Sequence, residues 1–256
     1  MKLSERLNKI CGLIPPGSRL ADIGSDHALL PTFAVREGRV PSAIAGEVNR
    51  GPYDAASKQV AEAGLQGQIE VRLGDGLAAI EAGEADVITI AGMGGALIVR
   101  ILTEGKAKLA GVQRLILQPN VGEDLVRRWL LREGWLLTEE HILEEDGKIY
   151  EVLTGDRSLS AEADNARLYA PTTVGEPPVR LEADELLDLG PFLVREASPV
   201  FRRKWRSEIA KLEGVAASMG RSDSEDARGK KELLERRIQR LKEVLACLPK
   251  DKPLSN

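Results

Sequence analysis

Cysteine is scarce in this chain of 256 residues: only Cys11 and Cys247 occur, far apart and without CxxC or CxxH spacing. That argues against a disulfide scaffold and against a structural zinc site, so no metal is expected. Long apolar runs are missing as well. Val87 to Met93 is typical of the longest, far short of the roughly 20 residues that cross a bilayer. Met1 to Pro15 carries Lys2 and Arg6, but Glu5, Asn8 and Lys9 interrupt its apolar residues, so the unbroken core of a secretory signal is absent. The expectation is a cytoplasmic protein with no membrane partner. Aromatic residues make up 4%, but 43% apolar and 30% charged residues suit an ordinary folded domain with something appended.

Net charge, at −4, points to no partner, but its distribution is uneven. Residues 190–256 hold 16 Lys+Arg against 10 Asp+Glu, and residues 1–189 hold 20 against 30. An acidic body followed by a basic region is expected when a catalytic domain carries a separate element for a polyanion. A solvated pair of charged helices would look the same.

Leu3, Leu7, Ile10, Cys11 and Ile14 recur at helical spacing and stop at Pro15-Pro16-Gly17. Arg19 to Ile23, Ala43 to Val48, Ile69 to Leu73, Val87 to Ala91 and Arg114 to Gln118 then read as strands. Helical patterns fill the gaps: His27 to Glu37, Pro52 to Ala63, Leu77 to Glu81, Ala96 to Leu102 and Glu123 to Arg132. Strand runs without polar alternation are buried on both faces, as in a parallel sheet covered by helices. Trp135 to Leu143 and Lys148 to Leu153 flank Glu144-Glu145-Asp146-Gly147, a hairpin signal. The predicted fold is α/β, a seven-stranded Rossmann-like sheet of the class I methyltransferase kind over residues 1–155. Residues 156–189 show little periodicity and read as a linker. In residues 190–256, Phe201, Trp205, Ile209, Leu212 and Met219, then Leu234, Ile238, Leu241, Leu245 and Leu248, give two apolar seams separated by the polar stretch Gly220 to Asp226. These predict an antiparallel coiled-coil hairpin of helices.

The first strand runs into Ala21-Asp22-Ile23-Gly24-Ser25-Asp26-His27. In open α/β sheets ligands bind at the carboxyl ends of strands where the strand order reverses, which makes this loop the primary candidate site. A pyrophosphate loop needs several glycines and no acid. Here Asp22 and Asp26 flank one glycine, each repelling a pyrophosphate by on the order of a kcal/mol. S-adenosylmethionine, with an ammonium, a sulfonium and no phosphate, fits better. Gly24 admits a close approach and Asp22 or Asp26 can accept from the ammonium. Capping of the next helix by Ser25 or Asp26 is the plain structural alternative.

The second strand ends in Gly46-Glu47, an acid placed to take both ribose hydroxyls, and the third in Gly74-Asp75-Gly76, which could hold the adenine amino group. Ala91-Gly92-Met93-Gly94-Gly95 leaves the backbone bare for the methionine part of the cofactor, although Met93 alone would usually be core. The amides of Gln118-Pro119-Asn120 can face a base edge. Arg6 is a candidate for the cofactor carboxylate, or simply a surface arginine. An NAD-dependent oxidoreductase is disfavoured by the acidic loop, and a serine hydrolase by the absence of a Gly-x-Ser-x-Gly elbow. A third reading makes the hairpin a protein-interaction or dimerisation module.

Leu20 to His27, Ile44 to Glu47, Gly74 to Gly76, Ile90 to Gly95, Ile116 to Asn120 and Ile142 to Lys148 together resemble the TrmK family of bacterial tRNA (adenine-22-N1)-methyltransferases. The likeness is close over residues 3–155, while the C-terminal hairpin is similar in kind rather than in sequence. It implies S-adenosylmethionine as donor and N1 of an adenine in the tRNA D-arm as acceptor. Arg6, Asp22, Gly24, Ser25, Asp26, His27, Glu47, Asp75, Gly76, Ala91, Gly92 and Met93 become expected cofactor contacts. Asp26, His27 and Asn120 are the expected groups around the base. Arg202, Arg203, Lys204, Arg206, Lys230, Lys231, Arg236, Arg237 and Arg240 are expected to follow tRNA phosphates, in a protein expected to be a monomer. One departure is Leu29, where the family often has tyrosine: a leucine cannot supply its π-face to a stacked base.

Overall fold

The structure, a computed structural model, describes residues 3–219 and 225–249. It comprises two compact units, residues 1–167 and 168–256. Among the described residues no helix is long and apolar enough to cross a membrane.

The first unit opens with α1 (Glu5–Leu13), capped by the Ser4 side chain, which accepts from the Leu7 N–H, and ended before Pro15. The chain then alternates: β1 (Leu20–Ile23), α2 (Leu29–Arg36), β2 (Ala43–Glu47), α3 (Arg50–Glu62), β3 (Ile69–Leu73), β4 (Val87–Gly94), α4 (Gly95–Glu104), β5 (Arg114–Val121) and α5 (Glu123–Arg132). The hairpin β6 (Leu136–Glu145) and β7 (Lys148–Asp156) follows, then α6 (Ala161–Leu168). The stretch Leu77 to Glu81, read as a helix, is a single 3-10 turn at Gly76–Ala79, too short for an α-helix between two strands.

These strands form one seven-stranded sheet in the order β3-β2-β1-β4-β5-β7-β6. β1 to β5 pair in parallel, and β7 lies antiparallel to both β5 and β6. The fully buried run of β1 and β2 is the apolar signature that the sequence carries. The order reverses between β1 and β4, so the loops after those strands part to opposite faces and leave a cleft. The β6–β7 turn, with Asp146 and Gly147 both at positive φ, falls at the same end, since Glu145 pairs with Lys148 while Leu153 pairs with Leu117. Behind the hairpin, Arg127 of α5 is completely buried, with Nε 2.5 Å from Glu140 and Nη2 2.5 Å from Glu151.

The span 156–189, read from sequence as a linker of little periodicity, contains regular elements. It carries α6, the two-stranded antiparallel sheet β8 (Thr172–Val174) and β9 (Val179–Leu181), and α7 (Ala183–Leu189), whose first turn is closed by a capping box between Glu182 and Glu185. In the second unit α8 (Pro191–Glu196), α9 (Pro199–Met219) and α10 (Glu225–Cys247) follow. α9 and α10 run antiparallel: Arg202 bonds the Pro249 carbonyl, and Lys242 reaches Glu213 at 2.6 Å. Their seams bury Phe201, Trp205, Ile209, Ile238, Leu241 and Val244. Of the connecting stretch, residues 220–224 lie outside the described residues.

Candidate active site

The loop after β1 is held from below. Asp22 is buried, and its carboxylate accepts from the Ser25 hydroxyl at 2.6 Å and the Thr89 hydroxyl at 2.5 Å. Burial pushes its pKa above the usual carboxylate range, against the pull of those two hydroxyls and of Arg6. With Ser25 tied to Asp22 and His27 lying 3.6 Å from Asp26, no Ser–His relay exists here.

Above that anchor the backbone turns left-handed through Gly24, Asp26, His27 and Ala28, at φ of 69°, 45°, 64° and 52°. Three successive non-glycine residues in this region is costly, and such conformations cluster at ligand sites. The turn throws Asp26 and His27 outward, with side-chain exposures of 88% and 59%. α2 therefore starts at Leu29, two residues later than the sequence suggests, with Leu29 itself only partly exposed. Neither Ser25 nor Asp26 caps that helix: its N-cap is Ala28 and no side chain caps it.

Glu47, at the end of β2, is buried, and its Oε1 has no hydrogen-bond partner among the described residues. Burial raises its pKa, opposed by the Asp26 backbone N–H and reinforced by the charges of Asp22 and Asp26. A buried, unpartnered acceptor is a group awaiting a donor. Asp75 is exposed at the end of β3, just before Gly76, whose φ is positive and where a β-carbon would also meet the Ile101 side chain. At the end of β4 a bulge between Ala91 and Gly94 brings Gly92 to the surface. Met93 turns back, its methyl against the α-carbon of Gly24, so the space over that glycine is filled by protein.

The opposite wall comes from α1 and β5. The Arg6 guanidinium lies 5.3 Å from the centre of the Tyr150 ring and donates to Gln118 Oε1 at 2.6 Å. Arg6 is thus no free surface arginine. Glu145, at the end of β6, accepts from the Glu5 N–H at 2.5 Å and so secures the start of α1. Asn120 is exposed, and its Nδ2 donates to the Gly92 carbonyl at 2.8 Å. The structure therefore brings Arg6, Asp22, Gly24, Ser25, Asp26, Glu47, Ala91, Gly92, Met93 and Asn120 into one connected mouth. Reasoning from sequence missed Thr89 and Tyr150, which lie inside strands and carry no motif.

The basic residues of the second unit divide. Arg202 is buried and donates to the carbonyls of Ala197 and Pro249, which takes it out of the surface set. Arg240 holds Glu185 at 2.6 Å and the Arg180 carbonyl, and Arg237 holds Asp188 at 3.1 Å, so both fasten α10 to α7 and its approach. Arg203, Arg206, Lys230 and Arg236 are exposed, Lys231 is half-exposed 3.7 Å from Glu235, and the Lys204 ammonium lies 5.7 Å from the Trp205 ring.

A family model described as "tRNA (adenine(22)-N(1))-methyltransferase", TrmK, matches residues 20–243. A curated Bacillus subtilis (strain 168) protein of that description is 45% identical over 249 residues, 96% of this chain and 98% of its own. The crystal structure of the B. subtilis M1A22 tRNA methyltransferase TrmK superposes with a TM-score of 0.85 at 44% identity, covering 95% of this chain and 99% of that one. Streptococcus pneumoniae Sp1610, a putative tRNA (m1A22) methyltransferase crystallised with S-adenosyl-L-methionine, gives 0.77 at 43% identity over 95% and 100%. A match of that extent, on the fold and motifs described, means that the chain belongs to the TrmK family of tRNA (adenine(22)-N(1))-methyltransferases.

Proposed function

We propose that this protein, acting as a cytoplasmic monomer, transfers the methyl group of S-adenosylmethionine to N1 of adenine 22 in tRNA, at the mouth formed by β1, β2, β4 and β5. The observation that carries the cofactor assignment is the buried, unpartnered Oε1 of Glu47. A ribose diol supplies the O–H donor that this oxygen lacks among the described residues. The acids around it suit a cationic, phosphate-free nucleoside and oppose a pyrophosphate.

Within that reading each residue has its task. Glu47 takes the ribose, Asp75 and Gly76 the adenine amino group, and Ala91, Gly92 and Met93 the methionine side. Asp26 accepts from the ammonium, and Arg6 faces the carboxylate. Asp22, Gly24 and Ser25 hold the loop in place, and His27 closes its outer edge. When bound, S-adenosylmethionine supplies an electrophilic methyl on a sulfonium. Adenine N1 has an in-plane lone pair, so the protein needs no general base. Alignment by its walls is worth up to roughly 7–11 kcal/mol. Asp26 also stabilises the positive charge that the methylated base acquires, while His27 and Asn120 orient the ring. Because N1 is a pairing atom, the adenine leaves its partner to enter the mouth.

Residues 1–155 carry this chemistry, and α9 and α10, as a coiled-coil hairpin within residues 190–256, carry the RNA. Arg203, Lys204, Arg206, Lys230, Lys231 and Arg236 follow the phosphates there. The test is incubation with labelled S-adenosylmethionine and unmodified bulk tRNA, followed by nucleoside mapping. The reading requires 1-methyladenosine at position 22, and label in another nucleoside, or in none, overturns it.

A further inference from the structure

Gln118 is fully buried and all four hydrogen-bonding positions of its amide are spent. Oε1 accepts from Arg6 Nη1 at 2.6 Å and from the Gly92 N–H at 3.1 Å, while Nε2 donates to the Pro119 carbonyl at 2.9 Å and to Asn120 Oδ1 at 3.1 Å. The polarity cannot be reversed. A guanidinium and a backbone N–H only donate, so a turned amide would set N–H against N–H on one side and oxygen against oxygen on the other. Asn120 is fixed in consequence: its Oδ1 must face Gln118, which turns Nδ2 to the Gly92 carbonyl at 2.8 Å. Asn120 is exposed at the mouth and keeps one N–H and one lone pair unspent.

We propose that Gln118 is a positioning residue for base selection: it locks Asn120 so that its spare N–H and lone pair read N7 and the 6-amino group of the target adenine. The inference deepens the function proposed above and rests on it. Adenine presents the acceptor N7 beside a donor amino group on one edge, and an asparagine amide pairs with both. That edge is not the one that carries N1, so the grip leaves the nucleophilic lone pair free. Guanine presents two acceptors, N7 and O6, on the same edge and would set O6 against the asparagine oxygen.

The test compares tRNA carrying adenine at the target position with tRNA carrying 7-deazaadenine there, in which a C–H replaces N7. Wild-type protein is expected to lose about tenfold in kcat/KM on the deaza substrate, the worth of one good base-edge hydrogen bond. Asn120→Ala should be slow on adenine and show no further drop on 7-deazaadenine. Gln118→Glu keeps its bonds with Arg6 and Gly92 but turns an acceptor toward the Asn120 oxygen. It should lose its sensitivity to N7 when both substrates are compared at saturating S-adenosylmethionine. Equal wild-type kcat/KM on the two substrates overturns the proposal without any variant having to fold. A full tenfold drop retained in Asn120→Ala or in Gln118→Glu overturns it too. Failure of the wild type to methylate adenine itself would instead remove the function on which the proposal rests.

Discussion

A side chain added to Gly24 would strike the methyl of Met93, whereas one added to Gly95 would strike the backbone of Gly122 and Val121. The two glycines face different obstacles. Met93 ends in a flexible thioether that can swing aside, so the cost at Gly24 is set by its φ of 69°, worth roughly 1–2 kcal/mol for a residue with a β-carbon. At Gly95 a β-carbon would sit 2.8 Å from the Gly122 carbonyl carbon and 3.1 Å from the Val121 oxygen, and neither can rotate away. Gly95→Ala is therefore expected to be the more destabilising, by about 3 kcal/mol or more against 1–2 for Gly24→Ala. Chemical denaturation of both variants decides it. If adding Met93→Ala to Gly24→Ala recovered most of the stability, the clash with the methyl rather than φ would be the governing cost.

Asp22 and Glu47 both have raised pKa values in the folded protein, chiefly through burial. A folded state that binds more protons than the unfolded chain loses stability as pH climbs. Their contribution is thus fully present below the ordinary values of 3.8 and 4.5 and lost as pH rises through the raised ones. Asp22→Asn keeps the shape and can still bond both hydroxyls, since Ser25 and Thr89 can donate or accept. The variant should lose less stability than the wild type between acid and neutral pH. Parallel curves of denaturation midpoint against pH would show that Asp22 does not carry the effect.

Arg127 offers a sharper contrast between removing one charge and removing all three. Bonded to Glu140 and Glu151 in complete burial, it is held well above the usual arginine range, the attraction of the two carboxylates outweighing its desolvation. Arg127→Met removes the guanidinium from between two buried carboxylates and should cost about 3–5 kcal/mol. Replacing all three with apolar residues of similar volume should recover most of that loss. A triple variant no more stable than Arg127→Met would mean that packing, not charge, is what the arginine supplies.

The sheet and its mouth are legible because their signals are local. The runs at Ala43 and Val87 are continuous, Asp146-Gly147 is a hairpin pair, and acids and glycines end the strands where the order reverses. The left-handed turn at Asp26, His27 and Ala28 is not legible, since no glycine announces it and it is imposed by the Asp22 anchor from below. Nor can charge counting separate Arg202, buried against the carbonyls of Ala197 and Pro249, from Arg203 beside it, which is exposed. Composition locates a guanidinium along the chain, and only packing says whether it is sealed in or open to a ligand. The short strands at Thr172 and Val179 escape for a related reason: three residues give no measurable period.

That separation within the second unit changes what salt should do to tRNA binding. Arg237 and Arg240 are already paired with Asp188 and Glu185, so they release few phosphate counterions on binding and act mainly by holding α10. Lys230 and Lys231 lie nearer the N-terminus of the same helix, Lys230 with its side chain exposed and Lys231 3.7 Å from Glu235 of α10 itself, so neither is shown fastening α10 to α7. Neutralising both as Lys230→Gln/Lys231→Gln should weaken tRNA binding uniformly across sequences. It should also reduce the slope of log affinity against log salt by about 1.4–1.8, or roughly 0.7–0.9 for each phosphate no longer neutralised. Arg240→Gln should leave that slope nearly unchanged and lower the thermal stability of the second unit instead. Filter binding of unmodified tRNA between roughly 50 and 200 mM salt, together with a melting curve for each variant, tells the two apart. A slope that fell with Arg240→Gln and held with the lysine pair would place the RNA on the α7 side of α10 and reverse the assignment.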